Sequence, residues 1–222
     1  MHAPVYLIPG LGADSRTFEG PWFGLPGCIR PDWPGYQGEA SIAAVARFVA
    51  DAWKIPQDAV LVGTSFGGMI ACEIAKFTSV KTLVLVASSD SAKDFATTSR
   101  MMLLTHLIPL RPVQWALKCL AFTPKLLGNP RLSPHSQALL TSIRMFTDCQ
   151  PSFYRDMFKA MFMWDGLAGS TTEVIRIHGR NDHVVVPPPK VDLSLDGGHL
   201  IAMTHARQCV DYLQTRLFPS VS

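Results

Sequence analysis

Apolar runs of strand length alternate along this chain with stretches whose apolar residues recur at helical spacing. The runs are Val5-Tyr6-Leu7-Ile8, a weaker one near Cys28-Ile29-Arg30, Ala59-Val60-Leu61-Val62, Thr82-Leu83-Val84-Leu85-Val86, Val174-Ile175-Arg176-Ile177 and Val191-Asp192-Leu193-Ser194-Leu195. The run from Thr82 to Val86 is continuous rather than alternating, as in strands buried on both faces. Residues 39–53 place Ile42, Val45, Val49 and Ala52 on one face of a predicted helix. Residues 68–77 and 199–217 also read as helix, the latter with Met203, Val210, Leu213 and Leu217 on one face. This alternation predicts an α/β fold with a mostly parallel sheet flanked by helices.

The strand signal stops between Ser91 and Ser170. Short helical patterns there are broken at Pro109, Pro112, Pro124, Pro130, Pro134 and Pro151. We read residues 91–170 as a helical insertion over the C-terminal edge of the sheet. Residues 1–90 and 171–222 then form the core, with no internal repeat or low-complexity tract. The insertion is rich in large apolar residues: Met101, Met102, Leu103, Leu104, Trp115, Met145, Phe146, Phe153, Met157, Met161, Phe162, Met163 and Trp164. Most are expected to pack its own core against the sheet, and the rest to line a pocket, where methionines suit irregular apolar ligands.

Gly63-Thr64-Ser65-Phe66-Gly67 lies between the strand ending at Val62 and the helix that follows. A serine at a sharp strand-to-helix turn is a nucleophile elbow. The turn is expected to hold Ser65 at positive φ, with glycines two residues to either side removing side chains that would clash. The helix N-terminus behind it favours developing negative charge.

Composition narrows the classes. The 222 residues suit one domain, or one with an insertion, and a net charge of +3 without a basic block speaks against nucleic acid. The five cysteines are widely spaced with no C-x-x-C pair, which suits free thiols in a reducing, cytoplasmic setting. The first ten residues do not read as a signal peptide. The most apolar window, Met101 to Phe122, contains His106, Arg111, Gln114 and Lys118 besides Pro109 and Pro112, so no membrane span is expected. Neither H-E-x-x-H, nor a P-loop, nor a dinucleotide-binding glycine motif is present, so no cofactor or metal is expected.

Four motifs in order carry a resemblance: Ile8-Pro9-Gly10-Leu11-Gly12-Ala13-Asp14, Asp32-Trp33-Pro34-Gly35-Tyr36-Gln37-Gly38-Glu39, Gly63 to Gly67, and the late pair Ile177-His178-Gly179-Arg180-Asn181-Asp182 and Asp196-Gly197-Gly198-His199. Together they resemble the α/β-hydrolases, over nearly the whole chain and most weakly across the insertion, which looks like a cap domain. Two features depart from the family pattern. The first strand begins almost at Met1, so a sheet shortened at its N-terminal side is expected. Pro9 stands where many members place a histidine.

A serine hydroxyl needs a base within hydrogen-bond reach. His199, between Gly197-Gly198 and a helix, is preferred over His2, His106, His135, His178, His183 and His205; His178, at a strand end, reads as a structural hydrogen-bonder. The base needs a buried carboxylate to orient it. Asp182 fits and matches the position the resemblance implies, with Asp90 as the alternative acid. The expected oxyanion donors are the backbone N–H groups of Phe66 and Leu11, with Gly12 as the alternative to Leu11.

These residues imply a serine hydrolase acting on a small to medium, largely apolar carboxylic ester or thioester through an acyl-enzyme on Ser65. Hydroxynitrile-lyase-like or C–C bond hydrolase activity with the same triad is an alternative reading. A non-catalytic small-molecule receptor is another. A third is a structural member that oligomerises, for instance as a homodimer, through its apolar insertion.

Overall fold

The structure is a computed structural model that describes residues 3–91, 109–126, 132–168 and 171–219. Six strands form one sheet: β1 (Val5–Ile8), β2 (Cys28–Ile29), β3 (Val60–Thr64), β4 (Thr82–Val86), β5 (Glu173–Gly179) and β6 (Leu193–Leu195). Their order is β2-β1-β3-β4-β5-β6, and every neighbouring pair is parallel. The helices are α1 (Ile42–Trp53), α2 (Phe66–Ile74), α3 (Leu110–Leu126), α4 (Pro134–Asp148), α5 (Pro151–Met161), α6 (Ile201–Thr204) and α7 (Ala206–Leu217).

The strands read as unbroken apolar runs because both sheet faces are covered. Alternate residues feed two cores. Tyr6, Ile8, Leu61, Leu83 and Leu85 join α1 and α2 on one face. Val5, Leu7, Val62, Val84 and Ile177 join α6 and α7 on the other. Each such fully buried aliphatic side chain contributes about 1.5–3 kcal/mol by removal from water.

Local signals account for the helix ends. The Ser41 hydroxyl accepts a hydrogen bond from the Ala44 N–H and caps α1, so that helix starts at Ile42 rather than at Glu39. Its buried stripe is Ile42, Val45, Ala46, Val49 and Ala50, whereas Ala52 is exposed. The helix expected over 199–217 is two helices. The chain breaks at His205 (φ −124°, ψ 27°), where the Thr204 hydroxyl bonds the Leu200 carbonyl and His205 Nδ1. β6 is shorter than the run that foretold it, starting at Leu193.

Two 3-10 turns, Ser15–Phe18 and Gly20–Gly24, were outside the sequence reading because so short an element carries no periodic signal. They bury Phe18 and Trp22 completely, and the Trp22 indole N–H donates to the Ala202 carbonyl at 2.7 Å.

Between β4 and β5 the described residues form three helices. Ser133 caps α4, with Pro134 in its first turn. Phe153, Met157 and Met161 of α5, and Trp164 beyond it, belong to the same apolar core as α1 and α2. This stretch therefore packs into the body of the molecule rather than around a core of its own. The Trp164 indole N–H donates to Glu73 of α2 at 2.6 Å, and Lys76 pairs with the same carboxylate. Among the described residues no helix is long and apolar enough to cross a membrane.

Candidate active site

Ser65 is the single residue between β3 and α2, at φ 52° and ψ −124°, the positive-φ conformation its motif predicts. Such a backbone costs on the order of 1–3 kcal/mol and persists only when its surroundings enforce it. A Cβ built on Gly63 would lie 2.3 Å from the Gly67 carbonyl oxygen, and one on Gly67 would lie 2.2 Å from that of Ile8. No side chain fits at either position. The Ser65 N–H donates to the Val86 carbonyl at 3.1 Å, and the Ser88 hydroxyl donates to the Ser65 carbonyl at 2.6 Å. Ser88, just past β4, thus holds the elbow from the neighbouring strand. No sequence motif marked it.

His199 lies in the loop after β6, and its Nε2 is 3.0 Å from Ser65 Oγ. Its Nδ1 is 2.9 Å from Oδ2 of Asp182, in the loop after β5. These two loops are pressed together: the Asn181 N–H donates to the Gly197 carbonyl at 3.0 Å, and a Cβ on Gly179 would lie 2.3 Å from that oxygen. The other carboxylate oxygen of Asp182 accepts the Val184 and Val185 N–H groups at 2.8 and 3.0 Å. Burial opposes the charge on Asp182. Hydrogen bonds from His178 and His199, the positive end of His199 and the Val185 amide outweigh it and hold the carboxyl well below the usual carboxylate range.

Asp90, the alternative acid, is paired with Arg176 of β5, so it is Asp182 that meets His199. His178, expected as a structural hydrogen-bonder, contacts Val185 O and Asp182. Leu11 lies in the loop after β1. A Cβ on the adjoining Gly10 would sit 3.4 Å from Ser65 Cβ, so this loop runs directly against the serine. Phe66 opens α2, and its ring packs with Trp33 and Phe153. The Trp33 indole N–H also reaches the Gly10 carbonyl at 3.4 Å, which gives the Asp32-to-Glu39 motif a place behind the same loop.

Above Ser65 and His199 opens a cavity of about 540 Å³. Its far wall is a stripe of α4, Leu139, Ile143 and Phe146, with Met145 beside it and Tyr154 from α5. Leu200 and Met203 face them from the α6 region. Of the apolar residues singled out in the insertion, Met145 and Phe146 line this cavity, while Phe153, Met157, Met161 and Trp164 are core. Trp115 and Met163 do neither. They are 71% and 67% exposed, because each sits on the solvent side of its segment. Met101, Met102, Leu103 and Leu104 lie outside the described residues. The missed wall residues Leu139 and Ile143 carried a signal in their i, i+4, i+7 spacing with Phe146. Leu139 remains 49% exposed at the mouth. Among the described residues no group of three or more His, Cys, Asp or Glu side chains is placed to hold a metal ion.

No curated protein sequence matches the chain. Solved structures do. A thermophilic esterase from Thermogutta terrifontis superposes with a TM-score of 0.70 at 17% identity, over 98% of this chain and 90% of the other. An N-acyl homoserine lactonase bound to N-butanoyl homoserine gives a TM-score of 0.69 at 18% identity, over 97% and 89%. The esterase RhEst1 from Rhodococcus sp. ECU1013 gives 0.63 at 19%, over 98% and 91%. At these identities the likeness speaks for the fold. The model of the Alpha/beta hydrolase family matches residues 5–212, nearly the whole chain. With its parallel six-stranded sheet and flanking helices, this chain belongs to the alpha/beta hydrolase family.

Proposed function

We propose that the protein is a serine hydrolase that cleaves a small to medium, largely apolar carboxylic ester through an acyl-enzyme on Ser65. One observation carries this reading: an unbroken hydrogen-bonded chain from Ser65 Oγ through His199 to Asp182, opening into an apolar cavity. In this reading His199 Nε2 takes the Ser65 proton as Oγ attacks the ester carbonyl. Asp182 keeps Nδ1 protonated and stabilises the imidazolium. The oxyanion is held by the N–H groups of Phe66 and Leu11, each worth about 3–4 kcal/mol in comparable sites. His199 then protonates the leaving alcohol, and a water activated by the same nitrogen hydrolyses the acyl-enzyme.

Among the described residues the cavity wall contains no Asp, Glu, Lys or Arg, which favours an uncharged substrate. A lactone is a cyclic ester and meets the same requirement, as does a thioester. Residues 91–170 act in this reading as a cap that shapes the acyl and alcohol sites. The five unpaired cysteines favour a reducing compartment, which we take to be the cytoplasm.

The test is labelling with a fluorophosphonate probe, together with turnover of p-nitrophenyl acetate and butyrate. Both should be present in the wild type and vanish in Ser65→Ala with folding intact. Turnover retained in Ser65→Ala would place the chemistry elsewhere. Tight apolar ligand binding without turnover would favour the receptor reading.

A further inference from the structure

We propose that His178 is a positioning residue for this site, fixing the Asp182 carboxylate in the rotamer that presents Oδ2 to His199. The inference rests on the triad reading above, and its ground is a set of contacts that reading does not use. His178 stands near the end of β5 and is 1% exposed. Its Nε2 lies 3.1 Å from the Val185 carbonyl oxygen and 3.3 Å from Asp182 Oδ2. A carbonyl oxygen can only accept, so Nε2 carries the hydrogen and donates it to Val185, which turns the same N–H edge toward the Asp182 carboxylate. Nδ1 is left as the lone-pair nitrogen. It is buried, and among the described residues no group pairs with it.

Among the described residues only the Nε2 edge of this imidazole is engaged, and a buried polar side chain is placed by the contacts it does make. Asp182 and Val185 form a small closed unit in which the Val185 N–H donates to Oδ1 while the Val185 carbonyl receives His178. Oδ2 is shared by two imidazoles, His178 from inside and His199 from the cavity side. Rotation of the carboxylate about Cβ–Cγ would break the contacts of both oxygens at once. His178 also favours ionised Asp182, together with His199 and the Val185 amide. Because the donor comes from a rigid strand rather than a loop, it transmits the position of β5 to the acid.

The experiment compares His178→Leu, His178→Gln and His178→Asn in the full chain. Gln carries an N–H close to the position of Nε2; Asn reaches only that of Nδ1. For Leu and Asn, kcat for p-nitrophenyl butyrate should fall about 10- to 100-fold, with KM within about twofold, as expected for a misplaced orienting group. Gln should recover most of the loss. In an Asp182→Asn background, His178→Leu should cost less than about twofold, because the residue acts through Asp182. If Leu does not fold, the Gln and Asn pair makes the same comparison. Equal losses in Gln and Asn, a loss in KM alone, or full additivity with Asp182→Asn would overturn the proposal.

A second readout does not need turnover. The low-field proton resonance of the His199 Nδ1–H should be present in the wild type, absent in Asp182→Asn, retained in His178→Gln and lost or broadened in the Leu and Asn variants. An unchanged resonance in those two overturns the positioning role. A wild type with that resonance but no Ser65-dependent turnover would instead overturn the hydrolase reading.

Discussion

Replacing Asp182 with asparagine tests the core of the proposed mechanism while leaving shape almost unchanged. The new amide has two orientations. With its oxygen toward the Val184 and Val185 N–H groups, now 2.8 and 3.0 Å from Oδ1, those two bonds survive. The NH₂ group then faces His199 and His178. With the amide flipped, it would oppose two fixed backbone donors that have nowhere to turn. The first orientation wins, because His178 keeps the Val185 carbonyl as acceptor and His199 can change tautomer. That change moves the imidazole hydrogen to Nε2, the nitrogen 3.0 Å from Ser65 Oγ, where a base is needed. The expected result is a loss of about 10⁴ in kcat, or about 5 kcal/mol of barrier, as for the same change in a serine protease triad. Turnover of p-nitrophenyl butyrate near neutral pH measures it, with thermal unfolding to confirm the fold. A variant within about tenfold of wild type would refute Asp182 as the orienting acid. Stability carries a second signature. The folded Asp182 titrates below its unfolded value of about 3.9, so its contribution is complete above about pH 5 and drains away as the pH falls toward the folded value. Acidification below about pH 5 should therefore destabilise the wild type more than Asp182→Asn, and parallel losses would argue that the carboxylate is not held ionised.

Asp90→Asn should leave kcat within about threefold, since this carboxylate is engaged by Arg176, and should cost about 1 kcal/mol or less, because the pair is partly exposed. Kinetics and thermal melts of the one variant check both, and a drop comparable to that of Asp182→Asn would move the acid to the end of β4. Gly67→Ala should cost about 4 kcal/mol or prevent folding, because its Cβ would meet the backbone oxygens of Ile8 and Pro9 at 2.2 and 2.4 Å. Gly35→Ala, whose nearest neighbour would be a Gln37 side-chain nitrogen at 3.8 Å, is the control expected to melt within a few degrees of wild type.

What could be read from the sequence divides along a physical line. Strands buried on both faces announce themselves as unbroken apolar runs, so β1, β3, β4 and β5 were placed within a few residues. The elbow was legible because a positive-φ serine requires glycines at fixed offsets, and Gly63 and Gly67 have no room for anything else. The break at His205 was not legible, because it depends on Thr204 turning its hydroxyl inward rather than on any breaker residue. Nor was Ser88, whose bond to the elbow crosses between strands and leaves no spacing to find. In the insertion, composition revealed that apolar residues were plentiful but not which would be core. Phe153 and Met157 are buried in the core shared with α1 and α2 while Trp115 faces water, and only the docking of the helices decides between them.

The division also explains why the chemistry and the pocket need not vary independently. The loop carrying Leu11 is held from below by Trp33 and from above by the insertion. Gly12, at φ +72°, has the Tyr154 ring 3.1 Å from where its Cβ would be and Phe146 at 3.3 Å. Two residues on, the Asp14 N–H meets Met145 Sδ at 3.4 Å, and Arg16 bridges Asp14 to Asp148 at the end of α4. Of those α4 and α5 residues, Met145, Phe146 and Tyr154 line the cavity. A change that shifts α4 to admit a longer substrate therefore also moves the loop that supplies one proposed oxyanion donor. Substitutions at Ile143, which lines the cavity without touching that loop's polar contacts, should alter chain-length preference with little change in kcat for the shortest ester. Substitutions at Phe146 should change both together. Separation of the two parameters at Phe146, read from acetate and butyrate esters side by side, would show that the loop is positioned by the sheet alone.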